Sequence, residues 1–405
     1  MPALIRIALR NVLRNRRRSL ITFSAVLIAI LATFSLRGLA NGMVTAMQDA
    51  VVHGQTGALQ VHRVGYLKST GGSSLDLDVP ADAAFLDKIR SVPDVRAVSA
   101  RLAFGGMVNA NDTTSPALFS ALDLDGELRV CPLREKLATE GRAFGVAEPE
   151  AAVLTPELVR TLGLKLGQKA ALLTNDKEGT LTAVDLTVVG VYGQPGLPLP
   201  EKKIGFVPLA TAQELLHMQG RATEIVVAVD DLKAIDQVKA AIASAVGPTY
   251  QVSTWSELVP FLKDAVTSWR FMSNLFTGIF LFVALLGIVN TMLMSVLERT
   301  REIGTMMALG VRRRSITAIF LLEATAQGFL GGLGGALLGG ALVFKVGQAG
   351  LHFHMSNATL HVHPFIDLGF FVFALVLATA GAVLAALWPA LRASRLRPVT
   401  ALASV

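Results

Sequence analysis

The chain has 405 residues, 52% of them hydrophobic and only 17% charged, whereas soluble domains carry roughly a quarter charged residues. That excludes a disordered chain, and the concentration of the apolar residues in four windows excludes a purely soluble enzyme. The formal net charge is +7. The single cysteine, Cys131, leaves no internal disulfide, so nothing here depends on an oxidising compartment.

Residues 1–18 form a basic opening. Arg6, Arg10, Arg14 and Arg18 recur every four residues, one stripe of a helix, while Leu4, Ile5, Leu9, Val12 and Leu13 occupy the other faces. The pattern predicts either an interfacial helix on the cytoplasmic leaflet or arginines that serve only to set membrane topology. Ser19–Leu36 is uncharged and starts a first transmembrane helix assigned to 19–45. A secretory signal has a similar layout, but three further windows argue for a retained helix. They are Phe271–Leu297, Ser315–Phe344 (interrupted only by Glu323) and Leu368–Leu391. About 20 helical residues at ~1.5 Å each cover a ~30 Å hydrocarbon core. Trp269 and Trp388 sit at window ends, where indoles favour the headgroup region.

Between the first two windows, residues 46–270 hold 21 basic and 26 acidic residues. The rest of the chain holds 16 basic and only 4 acidic residues. Of these 16, all but Arg37 and Lys345 fall in three places: Arg6 to Arg18; Arg299, Arg301 and Arg312 to Arg314; and Arg392, Arg395 and Arg397. Four spans put all three places on one side, and short basic flanks stay cytoplasmic. Both termini and a link at 298–314 are therefore expected inside, with 392–405 a cytoplasmic tail. Residues 46–270 and a short loop at 345–367 are expected outside. The positive charge reflects topology and anionic lipid, not nucleic acid. The predicted fold is an α-helical membrane protein with four transmembrane helices and a large mixed α/β extracytoplasmic domain inserted between helices 1 and 2.

Within 46–270, Thr56–Tyr66 reads as a strand and Ala81–Ser91 as a helix begun by Asp82. Val95–Val108 is apolar and β-prone. Asp123, Asp125 and Glu127 read as a solvated strand end, and Cys131 as a packing residue. Val153–Gly163 reads as a helix, with Pro156 tolerated in its first turn. Lys169–Thr174 and Thr180–Val191 read as strands. Glu224–Asp230, Leu232–Val246 and Tyr250–Thr254 form a strand–helix–strand unit of ferredoxin-like character. The middle, about 96–225, is then a β-rich insertion between two halves, giving two subdomains. Gly71–Ser74 and the Pro-rich Gln194–Lys203 are loops.

No GxSxG, HExxH, paired cysteine ligands or Gly-rich loop leading to GK[ST] occurs. The chain is thus read as non-catalytic, and any ATP hydrolysis has to come from a separate ATPase. The best docking candidate is the link, ERTREIGTMMALGVRRR. Glu298 and Glu302 lie one helical turn apart beside Arg299 and Arg301, Gly304 and Gly310 interrupt the helix, and Met306 and Met307 offer an adaptable apolar contact. A loop that only set topology would need neither the acidic pair nor the methionines.

Gly331, Gly335 and Gly339 form a small-residue row, and Gly328, Gly332, Ala336 and Gly340 a second. Packing against spans two and four, or against a second subunit, is expected. Glu323 is costly in lipid; either it pairs with an arginine near the inner face or it snorkels to it. His352, His354, His361 and His363 precede span four as two HxH pairs. Each pair shares one strand face, so a hairpin through Ser356-Asn357 would offer a candidate Zn²⁺ or Cu²⁺ site. The competing reading is an interfacial hairpin with Phe353 and Val362 in lipid and the histidines among headgroups; no metal is assigned.

The stretch NTMLMSVLERTREIGTMMALGVRRRSI (Asn290–Ile316) resembles the signature of FtsX-like, MacB-type ABC transporter permeases. ALRNVLRNRRRSLIT (Ala8–Thr22) and WPALRASRLRPVTAL (Trp388–Leu402) are similar to that family's opening and closing motifs. AVLTPELVRTLGLKLGQKAALL and IGFVPLATAQELL resemble its lipoprotein-releasing branch. The resemblance implies two permease chains, identical or paralogous, working with two cytoplasmic ABC ATPases in a bacterial inner membrane. Glu298, Arg299, Arg301, Glu302 and Gly304 would meet the ATPase, and no catalytic residue carries over. Nucleotide-driven closure would move spans one and two as levers on the exterior domain. The chain itself would hold no cofactor, ATP and Mg²⁺ residing in the partner. Lipoprotein release is the first functional expectation. The alternatives are efflux of drugs or peptides with a periplasmic adaptor, or a signalling scaffold that activates a cell-wall enzyme; a membrane-anchored enzyme or receptor without an ATPase comes last. Membrane lipids and a periplasmic chaperone complete the expected partners, and nucleic acid is not among them.

Overall fold

A computed structural model describes residues 16–69, 75–145, 148–193, 203–355 and 358–395, with backbone alone at 16–18, 135–139, 354–355 and 358–359. Arg6, Arg10, Arg14, the side chain of Arg18, the Gly71–Ser74 loop, Gln194–Lys202 and the closing residues from Leu396 lie outside this description. The chain divides into two units. One comprises Met1–Thr45, Val266–Leu351 and Val362–Val405, the other Ala46–Ala265 and His352–His361.

The first unit is built on four long helices: Arg16–Val51, Pro260–Glu298, Arg313–Ala349 and Leu368–Ser394. All four are long and apolar enough to cross a membrane. Each outruns its hydrophobic window, because backbone hydrogen bonding does not stop where hydropathy does. The unit boundaries at 45/46 and 265/266 therefore fall inside the first and second helices.

Small residues set the packing. Ala374, Ala378, Ala382, Ala386 and Ala390 recur every fourth residue on the fourth helix, and all are buried. They accept the third helix at Gly328 and Gly332; a Cβ on Gly328 would sit 2.5 Å from the Ala382 Cβ. The Gly331, Gly335 and Gly339 row meets the first helix, not the second or fourth. A Cβ on Gly335 would lie 2.6 Å from the Leu27 carbonyl oxygen, and one on Gly339 2.7 Å from the Phe34 Cβ. Phe34 is fully buried, with Phe370 and Phe371 at ring distances of 5.4 and 5.9 Å. A periodic glycine row shows that a close neighbour exists, but not which one.

The second unit takes in the last turns of the first helix, which ends in a π-helical turn, Val52–Thr56. In chain order follow β1 (Leu59–Arg63), β2 (Val79–Pro80), α1 (Ala83–Arg90), β3 (Val95–Ala110), β4 (Thr113–Leu122), α2 (Leu124–Val130), β5 (Ala138–Gly141) and β6 (Ala151–Leu154). Then come α3 (Pro156–Leu162), β7 (Lys169–Asn175), β8 (Leu181–Tyr192), β9 (Ile204–Pro208), α4 (Leu209–Leu215), β10 (Arg221–Ala222), β11 (Glu224–Val229), α5 (Ile235–Val246) and β12 (Tyr250–Thr254). The antiparallel order β12-β1-β11-β3, with α1 and α5 supplying Phe85, Ile89, Val238 and Ile242 to one core, is a βαββαβ ferredoxin-like arrangement. It is split between β3 and β11. The inserted residues build a second core around Phe104, Phe119, Leu154, Leu158, Leu172, Leu186 and Leu216. One strand serves both parts: β3 pairs with β11 up to Arg101 and with β4 from Arg101 to Ala110.

Asp82 caps α1, its carboxylate accepting the Phe85 N–H at 2.8 Å. Three expectations are corrected. The strand expected over Thr56–Tyr66 is confined to Leu59–Arg63, because Thr56 closes the π-turn and Gly57 adopts φ +68. Val153–Gly163 is a buried strand end followed by a helix starting at Pro156, since Pro and the capping position Thr155 reset the chain. Asp123–Glu127 is no solvated strand end: Asp123 caps α2 by accepting the Gly126 N–H, and Glu127 is fully buried.

Candidate functional site

The link between the second and third long helices is a helix of its own, Thr300–Ala308. The second helix stops at Glu298, where Arg299 leaves helical geometry (φ −103, ψ 12). The Thr300 hydroxyl donates to the Val296 carbonyl at 3.0 Å across that bend. At the other end Gly310 (φ +88) closes a Schellman turn: the Gly310 N–H donates to the Met307 carbonyl and the Val311 N–H to the Met306 carbonyl. Gly310, not Gly304, is the interruption; Gly304 is buried within the helix.

The structure divides the expected contact residues into two groups. Glu298, Arg301 and Glu302 are exposed. Arg299 turns inward, its Nε donating to Glu302 at 3.0 Å, its Nη1 3.7 Å from the buried Glu323, and its guanidinium 6.0 Å from the Phe320 ring centre. The arginine expected for Glu323 is thus Arg299. Met306 and Met307 are half-buried against the helical core with Ile303 and Phe320. The most exposed large apolar residue of the link is Leu309, at 81%, with Val311 also exposed. The methionines cannot form the docking surface alone, because the amphipathic helix uses that face to seat itself.

A second constellation joins residues far apart in the chain. Glu127 accepts both Nε and Nη2 of Arg101, at 2.8 and 2.6 Å, and Arg134 Nε lies 2.9 Å from the same carboxylate. Both guanidiniums also donate to the Gln55 carbonyl, at 2.6 and 3.2 Å, in the π-turn that ends the first helix. Burial pushes the Glu127 carboxyl up, but Arg101 and Arg134 outweigh it and hold it below the usual carboxylate range. Cys131 is buried beside them; burial raises its thiol pKa, as suits a packing residue. The one available signal was Arg101 itself, a charge inside a β-prone apolar run.

In the loop before the fourth helix, β13 (Leu351–Met355) and β14 (Ala358–Val362) pair as a hairpin. The His352 and His361 rings meet at 4.6 Å. The His354 side chain lies outside the described residues. His363 follows β14, its Nε2 3.3 Å from where a Cβ on Gly350 would stand. Val362 is fully buried in protein, which removes it from the lipid-facing role.

Four helices long and apolar enough to cross a membrane, a short helix between the second and third, and an α/β unit between the first and second give the architecture of a multi-pass membrane protein. The profile described as MacB-like periplasmic core domain matches residues 19–245, and the one described as FtsX-like permease C-terminal matches residues 274–398; the chain belongs to this family of FtsX-like permeases with a MacB-like core. The "Macrolide export ATP-binding/permease protein MacB" of Marinobacter nauticus is 25% identical over 98% of this chain and 60% of that protein. The "Pyoverdine export ATP-binding/permease protein PvdT" of Pseudomonas fluorescens is 26% identical over 96% of this chain and 57% of that protein. The chain thus spans less than two thirds of the length of these relatives. The solved periplasmic region of MacB from Actinobacillus actinomycetemcomitans is 13% identical, with a TM-score of 0.36, and covers 51% of this chain and 92% of that one.

Proposed function

We propose that this chain transmits motion from an ABC ATPase supplied from outside these 405 residues to its α/β unit, which acts on cargo beyond the bacterial inner membrane. The carrying observation is the helix Thr300–Ala308. It is capped at its C-terminal end and seated by Ile303 and the methionines, and Glu298, Arg301, Glu302 and Leu309 remain exposed around it. It connects the second helix, which continues into the α/β unit, to the third. A push on it has a covalent route to the other unit. The proposed orientation puts this helix and both termini in the cytoplasm, with ATP and Mg²⁺ bound by the ATPase and two permease copies or paralogues per assembly.

Export of a small molecule or peptide with a periplasmic adaptor is favoured by the relatives named for macrolide and pyoverdine export. Lipoprotein release is the second reading, supported by the segments Ala152–Leu173 and Ile204–Leu216 that resemble that branch. Co-purification tests the docking. Glu298→Arg with Glu302→Arg, or Leu309→Asp, should abolish ATPase association while leaving the permease folded; retained association removes the helix from the docking role. Mass spectrometry of material held by a complex with a hydrolysis-dead ATPase then identifies the cargo.

A further inference from the structure

The hairpin β13–β14 carries a feature that the transport reading does not use. His352 and His361 stand on its two strands, both exposed, with ring centres 4.6 Å apart and planes at 79°. Among the described residues neither imidazole is hydrogen-bonded or ion-paired to anything else. A single cation bound by one nitrogen from each of two imidazoles sits about 2.0–2.1 Å from each nitrogen, hence about 3.2 Å from each ring centre. Ligand angles of about 90–110° then place the ring centres about 4.5–5.2 Å apart. The observed separation falls in that interval; the rings meet edge to face, so the imidazoles must rotate to bring one nitrogen each onto a shared ion.

We propose that His352 and His361 form a two-histidine site for a divalent transition-metal ion of the copper, nickel and zinc group. Neutral imidazole is an intermediate donor that suits these ions and not Mg²⁺ or Ca²⁺, which take oxygen. No group of three or more histidine, cysteine, aspartate or glutamate side chains suited to a metal occurs among the described residues. Among the described residues the site therefore offers two protein ligands, its other positions being available to water or to a donor from solution. Cu²⁺ should bind most tightly, as expected for nitrogen ligands across the first row. Bridging the two strands closes the hairpin just ahead of the fourth helix. The proposal is independent of the identity of the cargo and of the ATPase.

The test uses the full chain in detergent, without a histidine tag, after stripping with chelator. Equilibrium dialysis against Cu²⁺, Ni²⁺ or Zn²⁺ with elemental analysis should find about one ion per chain at neutral pH. His352→Ala and His361→Ala should each weaken binding about tenfold or more, and excess Mg²⁺ should not compete. In the unaltered protein, electron paramagnetic resonance of the Cu²⁺ form should show coupling to two imidazole nitrogens. That reading does not depend on the variants folding. Binding equal in the unaltered protein and the double variant, or a spectrum without nitrogen coupling, overturns the site.

Discussion

Asp78 shows how much one side chain can hold. Its carboxylate is buried yet accepts two bonds from Arg221, at 2.7 and 2.9 Å, and one from Lys177 at 2.8 Å, with Arg63 at 3.5 Å. The Arg221 hydrogen bonds, with Lys177, hold its pKa down to about 2. A carboxyl with a lowered folded-state value stabilises the fold above its unfolded value near 4, and that contribution is lost as pH falls toward 2. Asp78→Asn should therefore cost about 2 kcal/mol at neutral pH, and less at pH 2, in thermal melts. His62 runs the other way: burial lowers its pKa, so the unfolded chain takes up the proton more readily. Stability from its neutral form is full above about pH 6.5 and falls as the medium is acidified below that. His62→Gln should flatten that part of the pH–Tm curve. Glu127→Ala would strand two buried guanidiniums and should cost about 3–5 kcal/mol. At this scale the sequence was legible where the cause is local, as with Asp82 and the helix it caps. Glu127 was not legible, because one of its partners, Arg101, lies 26 residues away and nothing in its own neighbourhood signals burial.

Among the elements, the third helix is the clearest case. Gly335 faces the Leu27 backbone, while Gly340 has nothing within 4 Å of where a Cβ would stand. Gly335→Ala should lower stability by about 1–3 kcal/mol through overpacking. Gly340→Ala should be neutral or slightly stabilising, since alanine favours the helix. Equal effects in a thermal melt would mean that the first and third helices do not approach this closely. The apolar windows announced the helices but understated their length: the first window ends at Leu36, whereas that helix continues to Val51. Charged and polar residues such as Arg37, Asn41 and Asp49 stop a hydropathy count without breaking a helix.

At the level of the whole molecule, the first two helices each run across a boundary between the units, which is what the proposed transmission would use. The Gln55 carbonyl, where the first helix ends, is held by Arg101 and Arg134 inside the α/β unit. Arg134→Met keeps much of the bulk but removes one of these bonds. Under the proposed function it should leave ATPase association intact while reducing cargo movement per ATP hydrolysed, measured in reconstituted vesicles. Loss of association would place its effect on folding instead.

The number and order of the long helices, the basic flanks and the link between the second and third helices were determined by the sequence alone. Each is a property of a contiguous stretch, expressed in hydropathy, charge and helical spacing. Which glycine row meets which helix, the inward turn of Arg299 toward Glu323, and the clamp of Arg101, Glu127 and Arg134 on Gln55 were decided only by the tertiary structure. These are pairings between residues distant in the chain. Their energies come from desolvation and close approach, which exist only once the chain has brought the partners together.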